Sequence, residues 1–169
     1  PEMTAEVLKN GWFHTGDIGE LDGDYLKITD RKKEMFKTSG GKYIAPQTIE
    51  NLAKASKFIE QIMVVGDGEK MPAAFIQPNF DFVKEWAKIH KIEIGTTNEE
   101  ITSDPKVIAR IQEEIDRLND KFGNWEKIKR FELTADIWSI EGGHLTPTLK
   151  LKRKIVMEKY IDLFHKIYN

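Results

Sequence analysis

No cysteine occurs in the 169 residues. That excludes disulfides, thiolate metal sites and cysteine nucleophiles together, and it fits a reducing compartment. Long apolar runs are missing too. The longest stretch drawn only from Val, Ile, Leu, Met and Phe is Ile62-Met63-Val64-Val65, against the roughly 20 residues of a membrane-spanning helix. Charge of one sign is not in excess. The formal net charge is -2, so no global basic field recruits nucleic acid. The opening Pro1-Glu2-Met3-Thr4-Ala5-Glu6 is polar and lacks the charged-then-apolar pattern of a secretory leader. It reads as a position inside a longer chain.

What is present is the mixture of a globular protein. Apolar residues make up 40% and charged residues 32%, enough for one ordinary domain or for a small domain with the tail of another. Alternating residues flank Asp22-Gly23-Asp24 and predict a hairpin over 17–29. A second hairpin is expected where Met35-Phe36-Lys37 and Lys42-Tyr43-Ile44 flank Ser39-Gly40-Gly41. Pro46 suits the first turn of a helix with Ile49, Leu52 and Ala53 on its inner face. Two apolar strands follow, at 58–65 and 72–77, and then a helix carrying Phe82, Val83, Trp86 and Ala87 that ends near His90.

The stretch 91–102 is polar and reads as irregular. Asp104-Pro105 is an N-cap followed by proline at the first helical position. It opens a helix with the stripe Val107, Ile108, Ile111, Ile115, Leu118 and Phe122, stopped at Gly123. A strand is expected at 127–133. One amphipathic helix is expected at 154–168, with Ile155, Val156, Tyr160, Leu163, Phe164 and Ile167 inward. Local hairpins among interleaved helices predict a small α+β domain with a largely antiparallel sheet.

Three segments are richer in chemistry than packing requires. In Gly11-Trp12-Phe13-His14-Thr15-Gly16-Asp17, a carboxylate stands at the mouth of a hairpin, suited to gripping two neighbouring hydroxyls; the plainer reading is a turn cap. In 30–42, the basic cluster Arg31-Lys32-Lys33 precedes the paired glycines Gly40-Gly41. It offers side-chain and backbone donors to phosphate, or simply a solvated strand and a turn. The run Leu145-Thr146-Pro147-Thr148-Leu149-Lys150-Leu151-Lys152-Arg153-Lys154 has, taken alone, the look of a nuclear-localisation or nucleic-acid patch. Cations are disfavoured at a helix N-terminus, so this many there ask for an explanation.

Taken in order, the segments resemble the motifs of the adenylate-forming enzymes. Trp12-Phe13-His14-Thr15-Gly16-Asp17 is similar to the family's Trp-x-x-Thr-Gly-Asp. Asp30-Arg31-Lys32-Lys33 resembles its hinge element, followed by Ser39-Gly40-Gly41 and by Pro46 to Glu50 as Pro-x-x-Ile-Glu. Pro147-Thr148-Leu149-Lys150-Leu151-Lys152-Arg153 matches the terminal lysine motif in part. The segment is short, and Leu149 stands where glycine is usual. This variant resembles the AMP-forming long-chain fatty acyl-CoA synthetases, and the resemblance runs over essentially the whole chain.

The resemblance implies that 1–30 end a large N-terminal adenylation domain and that 31–169 form the small mobile domain. It implies a ligase that joins a fatty acid to AMP and then transfers the acyl group to coenzyme A. Asp17 would hold the ribose hydroxyls, through bonds of roughly 1.5–3 kcal/mol each. Arg31 would touch the ribose or the phosphate edge. Lys150 would be the lysine of adenylation, a flexible point charge set between two anions, with Lys152 as the alternative. Lys33 would be the hinge. Gly40 and Gly41 would line the pantetheine passage, and Lys42 would face a coenzyme A phosphate. His14 and His144 receive no role.

ATP/AMP and coenzyme A are the implied cofactors, with Mg2+ held mainly by the large domain, since no triphosphate loop, acyl pocket or evident metal site is seen here. The implied partners are that large domain and the three small molecules, without nucleic acid. The implied location is the cytoplasm, with peripheral association at the inner membrane surface as an alternative. Two rival readings stand beside this one. The first is an adenylating enzyme that loads a carrier-protein thiol. The second is a non-catalytic basic module that uses Lys150 to Lys154 and the terminal helix on nucleic acid or anionic membrane.

Overall fold

The computed structural model describes the backbone of residues 2–169 and the side chains from Thr4 onward; Pro1, the first residue of the expected large-domain tail, lies outside the described residues. The chain opens with a short helix α1 (Glu2–Val7) and a two-residue pair of strands, β1 (Leu8–Lys9) and β2 (Trp12–Phe13), none of which the sequence pattern announced. The expected hairpin follows as β3 (Asp17–Asp22) and β4 (Tyr25–Arg31), closed around Gly23-Asp24. Its register shifts between Ile18 and Gly19. A Cβ on Gly19 would stand 2.8 Å from the carbonyl oxygen of Lys27, so this bulge needs glycine.

The second hairpin is β5 (Phe36–Lys37) with β6 (Tyr43–Ile44). Helix α2 (Pro46–Ala53) starts at its proline, as expected, but buries Glu50 beside Ile49 and Ala53 while Leu52 faces out. The centre of the fold is a three-stranded sheet in the order β7 (Ile59–Val65), β8 (Ala73–Pro78), β9 (Arg130–Leu133). β7 and β8 are antiparallel; β9 joins β8 in parallel. All the other strand pairs described are antiparallel, so the expected character of the sheets holds, with this one exception.

The parallel pair requires a long crossover, and three helices supply it: α3 (Phe80–Ile89), α4 (Asn98–Ser103) and α5 (Pro105–Asn119). Helix α4 lies inside the stretch read as irregular. Thr97 accepts from Glu100 N and the Glu100 carboxylate accepts from Thr97 N, a reciprocal cap that starts a helix despite its polar composition. Asp104 caps α5 as expected, but the helix ends at Asn119, short of Phe122 and Gly123, and Ile108 is exposed.

Every residue of β8 is buried, because both faces of the sheet are covered. On one face Ile62, Val64, Ala74 and Ile76 meet α2, α3, α4 and α5 through Ile49, Val83, Ile101, Ile111 and Ile115. On the other face Met63, Val65, Ala73 and Phe75 meet Trp138, Val156, Tyr160 and Ile167. The last three belong to the C-terminal helical segment, which is two helices rather than one: α6 (Arg153–Lys159) and α7 (Ile161–Tyr168), broken at Tyr160. The phenol of Tyr160 donates to Asp136 at 2.9 Å and accepts from the Trp138 indole at 3.1 Å. These tethers hold Tyr160 at φ -109°, ψ 29°, outside α-helical values. Ile155, expected to be inward, is exposed.

By contrast with this double-sided core, Leu21, Tyr25, Leu26 and Ile28 of the first hairpin are exposed, as are Trp12 and Phe13 before it. The contrast is measurable by denaturant unfolding. Phe75→Ala, at a fully buried site, should lower stability by about 3–5 kcal/mol, whereas Leu26→Ala should stay within about 0.5 kcal/mol.

Candidate functional site

Asp17 and Arg31 begin and end the first hairpin and are paired directly across it. Their side chains form an ion pair, Arg31 Nε to Asp17 Oδ1 at 2.9 Å. The turn before β3 is fixed by Thr15, whose hydroxyl accepts from Asp17 N, and by Gly16, whose carbonyl accepts from Lys32 N. Both charged groups therefore sit at one end of the hairpin because the register puts them there, not because of sequence proximity.

Lys150 comes to the same place from the other end of the chain. Leu145 and Leu151 form an isolated antiparallel bridge, and Lys152 N donates to the carbonyl of His144 at 2.9 Å. Between them Thr146 closes a tight loop. Its N–H donates to Lys150 O, its carbonyl accepts from Leu149 N, and its hydroxyl accepts from Lys150 N. Leu149 has φ +59°, the left-handed region that glycine enters freely and a branched side chain does not. Leucine thus adopts here the backbone conformation that explains why glycine is usual in the resembled motif. The loop presents Lys150 to solvent, with no ion pair for its ammonium among the described residues.

A cleft of about 440 Å³ brings these groups together. Asp17, Arg31, Glu34, Glu50, Lys54, Lys150 and Arg153 supply its charged lining, with Ile28, Leu149 and Leu151 as apolar wall. Arg153, Glu50 and Glu34 were not singled out as site residues. Arg153 Nη2 donates to both oxygens of Glu50 at 2.6 and 2.7 Å, Nη1 to the carbonyl of Val64 at 3.2 Å, and Nε to Glu34 at 3.3 Å. Glu50 also accepts from Val64 N at 2.7 Å, and Glu34 accepts from the Gln47 amide at 2.6 Å. Burial pushes the Glu50 carboxyl up to about 7, against the opposing guanidinium of Arg153. The sequence did hold a signal for this pair, the glutamate that closes Pro-x-x-Ile-Glu and the arginine three residues past Lys150.

The remaining predicted residues lie elsewhere. Lys33 occupies an exposed turn between β4 and β5, in which Glu34 N and Met35 N both donate to Arg31 O. Gly40 and Gly41 form the tip of the β5–β6 hairpin, with Gly41 at φ +81° and its N–H donating to Thr38 O. Lys42 places its ammonium 5.4 Å from the ring centre of Trp125. None of these four lines the cleft. Lys152 does not line it either; it stands at the N-cap of α6. His14 is exposed and His144 is buried. Beside the cleft Asp30 is buried, with one carboxylate oxygen accepting from Arg31 N and the other unpartnered, and burial raises its pKa. Among the described residues no group of three or more His, Asp or Glu could hold a metal ion, and no helix is long and apolar enough to cross a membrane.

Residues 34–169 match the model of the AMP-binding enzyme C-terminal domain family. Long-chain-fatty-acid–CoA ligase FadD15 of Mycobacterium tuberculosis is 36% identical over 169 residues, which cover 99% of this chain and 28% of that protein. Human long-chain-fatty-acid–CoA ligase 6 is 36% identical over 174 residues, 100% of this chain and 25% of that protein. The chain therefore spans about a quarter of the length of these curated relatives. The fold is similar to the adenylation domain of a carboxylate reductase from Mycobacterium chelonae, with TM-score 0.79 and 24% identity over 98% of this chain and 24% of that one. A Mycobacterium tuberculosis fatty acyl CoA synthetase superposes with TM-score 0.54 and 25% identity, covering 95% of this chain and 26% of that one.

The left-handed backbone at Leu149 gives a direct test of the loop geometry. Leu149→Gly should leave stability within about 1 kcal/mol of the parent, strain relief offsetting glycine's extra entropy. Leu149→Ile, β-branched at a positive φ, should lower it by about 1–3 kcal/mol. Denaturant unfolding of the two variants decides; equal stabilities would refute the loop conformation.

Proposed function

The chain belongs to the family of AMP-binding enzyme C-terminal domains, and from that membership we propose that it serves a long-chain fatty acid–CoA ligase as its mobile small domain, 31–169, with the last hairpin of the adenylation domain, 1–30, attached. The observation that carries the proposal is the cleft, where Asp17, Arg31 and Lys150 meet although the lysine is more than a hundred residues from the other two in sequence. A carboxylate at the hairpin mouth, a guanidinium beside it and a flexible ammonium opposite make a receptor for a ribose next to a phosphate.

In the first half-reaction the fatty-acid carboxylate attacks the α-phosphorus of ATP, an acyl-phosphate bond forms and pyrophosphate leaves. Asp17 accepts hydrogen bonds from the ribose hydroxyls and Arg31 faces the ribose or the phosphate edge. Lys150 stabilises the charge that builds on the phosphorus, and being unpaired it needs no ion pair broken in order to act. In the second half-reaction the thiol of coenzyme A attacks the acyl carbonyl, gives up its proton and displaces AMP. Rotation at Lys33 would withdraw Lys150 and bring in the bare backbone of Gly40 and Gly41 for the pantetheine arm, with Lys42 toward a phosphate. Their position outside the cleft is in keeping with a role in this second pose.

The exposed apolar residues of the first hairpin and of Trp12 and Phe13 fit contact with a large domain that would also hold Mg2+. The relatives named as CoA ligases favour coenzyme A over a carrier-protein thiol. The basic run is interrupted as a surface patch by Arg153, which turns inward to Glu50, and this weighs against a nucleic-acid or membrane module. A cytoplasmic location, with the inner membrane surface as the peripheral alternative, belongs to the same proposal.

Two experiments on the enzyme with its large domain test the assignments. Lys150→Ala should slow pyrophosphate release roughly 10²–10³-fold and leave acyl transfer from synthetic acyl-AMP nearly unchanged, with Lys152→Ala mild in both. Equal losses in both steps would refute the role of Lys150. Lys33→Pro fixes φ near -65° and restricts Lys32 without removing a hydrogen bond, since no acceptor for Lys33 N is found among the described residues. Pyrophosphate release should then survive while transfer to coenzyme A falls by orders of magnitude, and Lys33→Ala should be mild. If proline spares the transfer step, Lys33 is not the hinge.

A further inference from the structure

The hairpin that carries Lys150 is held at its base by a buried histidine and the polar groups around it, which the proposed reaction does not use. His144 is 1% exposed. Its carbonyl accepts from Lys152 N, on the far side of the lysine loop, and the next residue, Leu145, forms the bridge to Leu151. The backbone of His144 is thus half of the base from which Lys150 projects.

The ring of His144 is fixed from several sides. Lys159 Nζ stands 2.9 Å from Nε2, Ser139 N lies 3.4 Å from Nδ1, and the Tyr160 hydroxyl lies 3.5 Å from Nε2. The rings of Trp138 and Tyr160 are nearly parallel to it, at 8° and 14°. Lys159 is in turn paired with Asp136 at 3.2 Å. The charged and titratable groups facing the ring are therefore Lys159 from the end of α6, Tyr160 from the break between α6 and α7, and Asp136 from the loop after β9.

An ammonium has only donors, so the 2.9 Å contact requires a lone pair on Nε2 and hence a neutral imidazole. A protonated ring would set two cations against each other at that distance, one of them on a buried ring. We propose that His144 is a positioning residue whose neutral ring, clamped by Lys159, holds the base of the Lys150 hairpin, and that protonating this ring releases the hairpin. Burial, with the Lys159 ammonium second, holds the His144 pKa below its ordinary value, against the pull of Asp136. The clamp is therefore complete above pH 6.5 and is lost as pH falls through the depressed pKa.

Only the kinetic consequence rests on the role proposed for Lys150; the structural part is read without activity. In this chain the His144 ring resonance and the amides of 145–151 are followed by NMR as pH falls. They should shift with one midpoint. Lys159→Met removes the opposing cation, so the ring midpoint should move upward while the hairpin amides lose their pH-dependent shift, and His144→Gln should abolish the hairpin transition. The proposal is overturned if the ring titrates in the parent chain while these amides stay still, or if they titrate unchanged in His144→Gln or in Lys159→Met. In the enzyme with its large domain, pyrophosphate release should fall about tenfold per pH unit below that midpoint, and acyl transfer from synthetic acyl-AMP should not. Coupled resonances with a flat profile for pyrophosphate release would confirm the clamp and overturn the role of Lys150.

Discussion

The site depends on one buried ion pair. Arg153 grips Glu50 with two hydrogen bonds and reaches Val64 and Glu34 with its other nitrogens. Through these contacts the segment just after Lys150 is tied to α2, to the edge strand β7 of the central sheet and to the turn that contains Lys33. A buried pair of this kind adds little net stability over an apolar replacement, while loss of one partner costs about 3–5 kcal/mol because the other charge is stranded. What the pair provides is position. Without it, the loop closed by Thr146 would present Lys150 from a base with no charged link to the cleft.

The three-layer packing explains why such a pair can sit where it does. β7 is covered on both faces, so the Val64 carbonyl and N–H at its edge are shielded from water and need partners from side chains. Arg153 satisfies the first and Glu50 the second. On the opposite side of the lysine loop, the Tyr160 tethers break the C-terminal helix and bring the end of α6 against His144. The hairpin of Lys150 is thus held at both ends, by the Arg153–Glu50 ion pair on one side and by the contacts of Lys159, Tyr160 and Trp138 with His144 on the other.

Much of this was legible in the sequence where the rule was local. Gly23 and its neighbours gave the first hairpin, Pro46 the start of α2, and Asp104-Pro105 the start of α5. The less legible features were those set by tertiary packing. Parallel addition of β9 follows from a crossover that periodicity does not reveal. Ile108, Ile155 and Leu52 satisfied a helical stripe yet face out, because each stripe is wider than the surface it covers. Helix α4 was legible after all in Thr97-Asn98-Glu99-Glu100, a capping-box pattern outweighed by polar composition. Of the site, Asp17, Arg31 and Lys150 could be picked out by motif. Glu50 and Arg153 stood inside the same motifs, but only the fold shows that they hold each other.

The placing role of Arg153 rests on the adenylation proposed for Lys150, and a double-mutant cycle between the two tests it most directly. The readout is pyrophosphate release in a single turnover, measured for Arg153→Met with Lys150 present and again with Lys150→Ala. If Arg153 works through the lysine, its loss should cost much in the first background and almost nothing in the second, since residues that act as a unit are non-additive. The same fold-loss in both backgrounds would contradict the account and assign Arg153 an effect independent of Lys150.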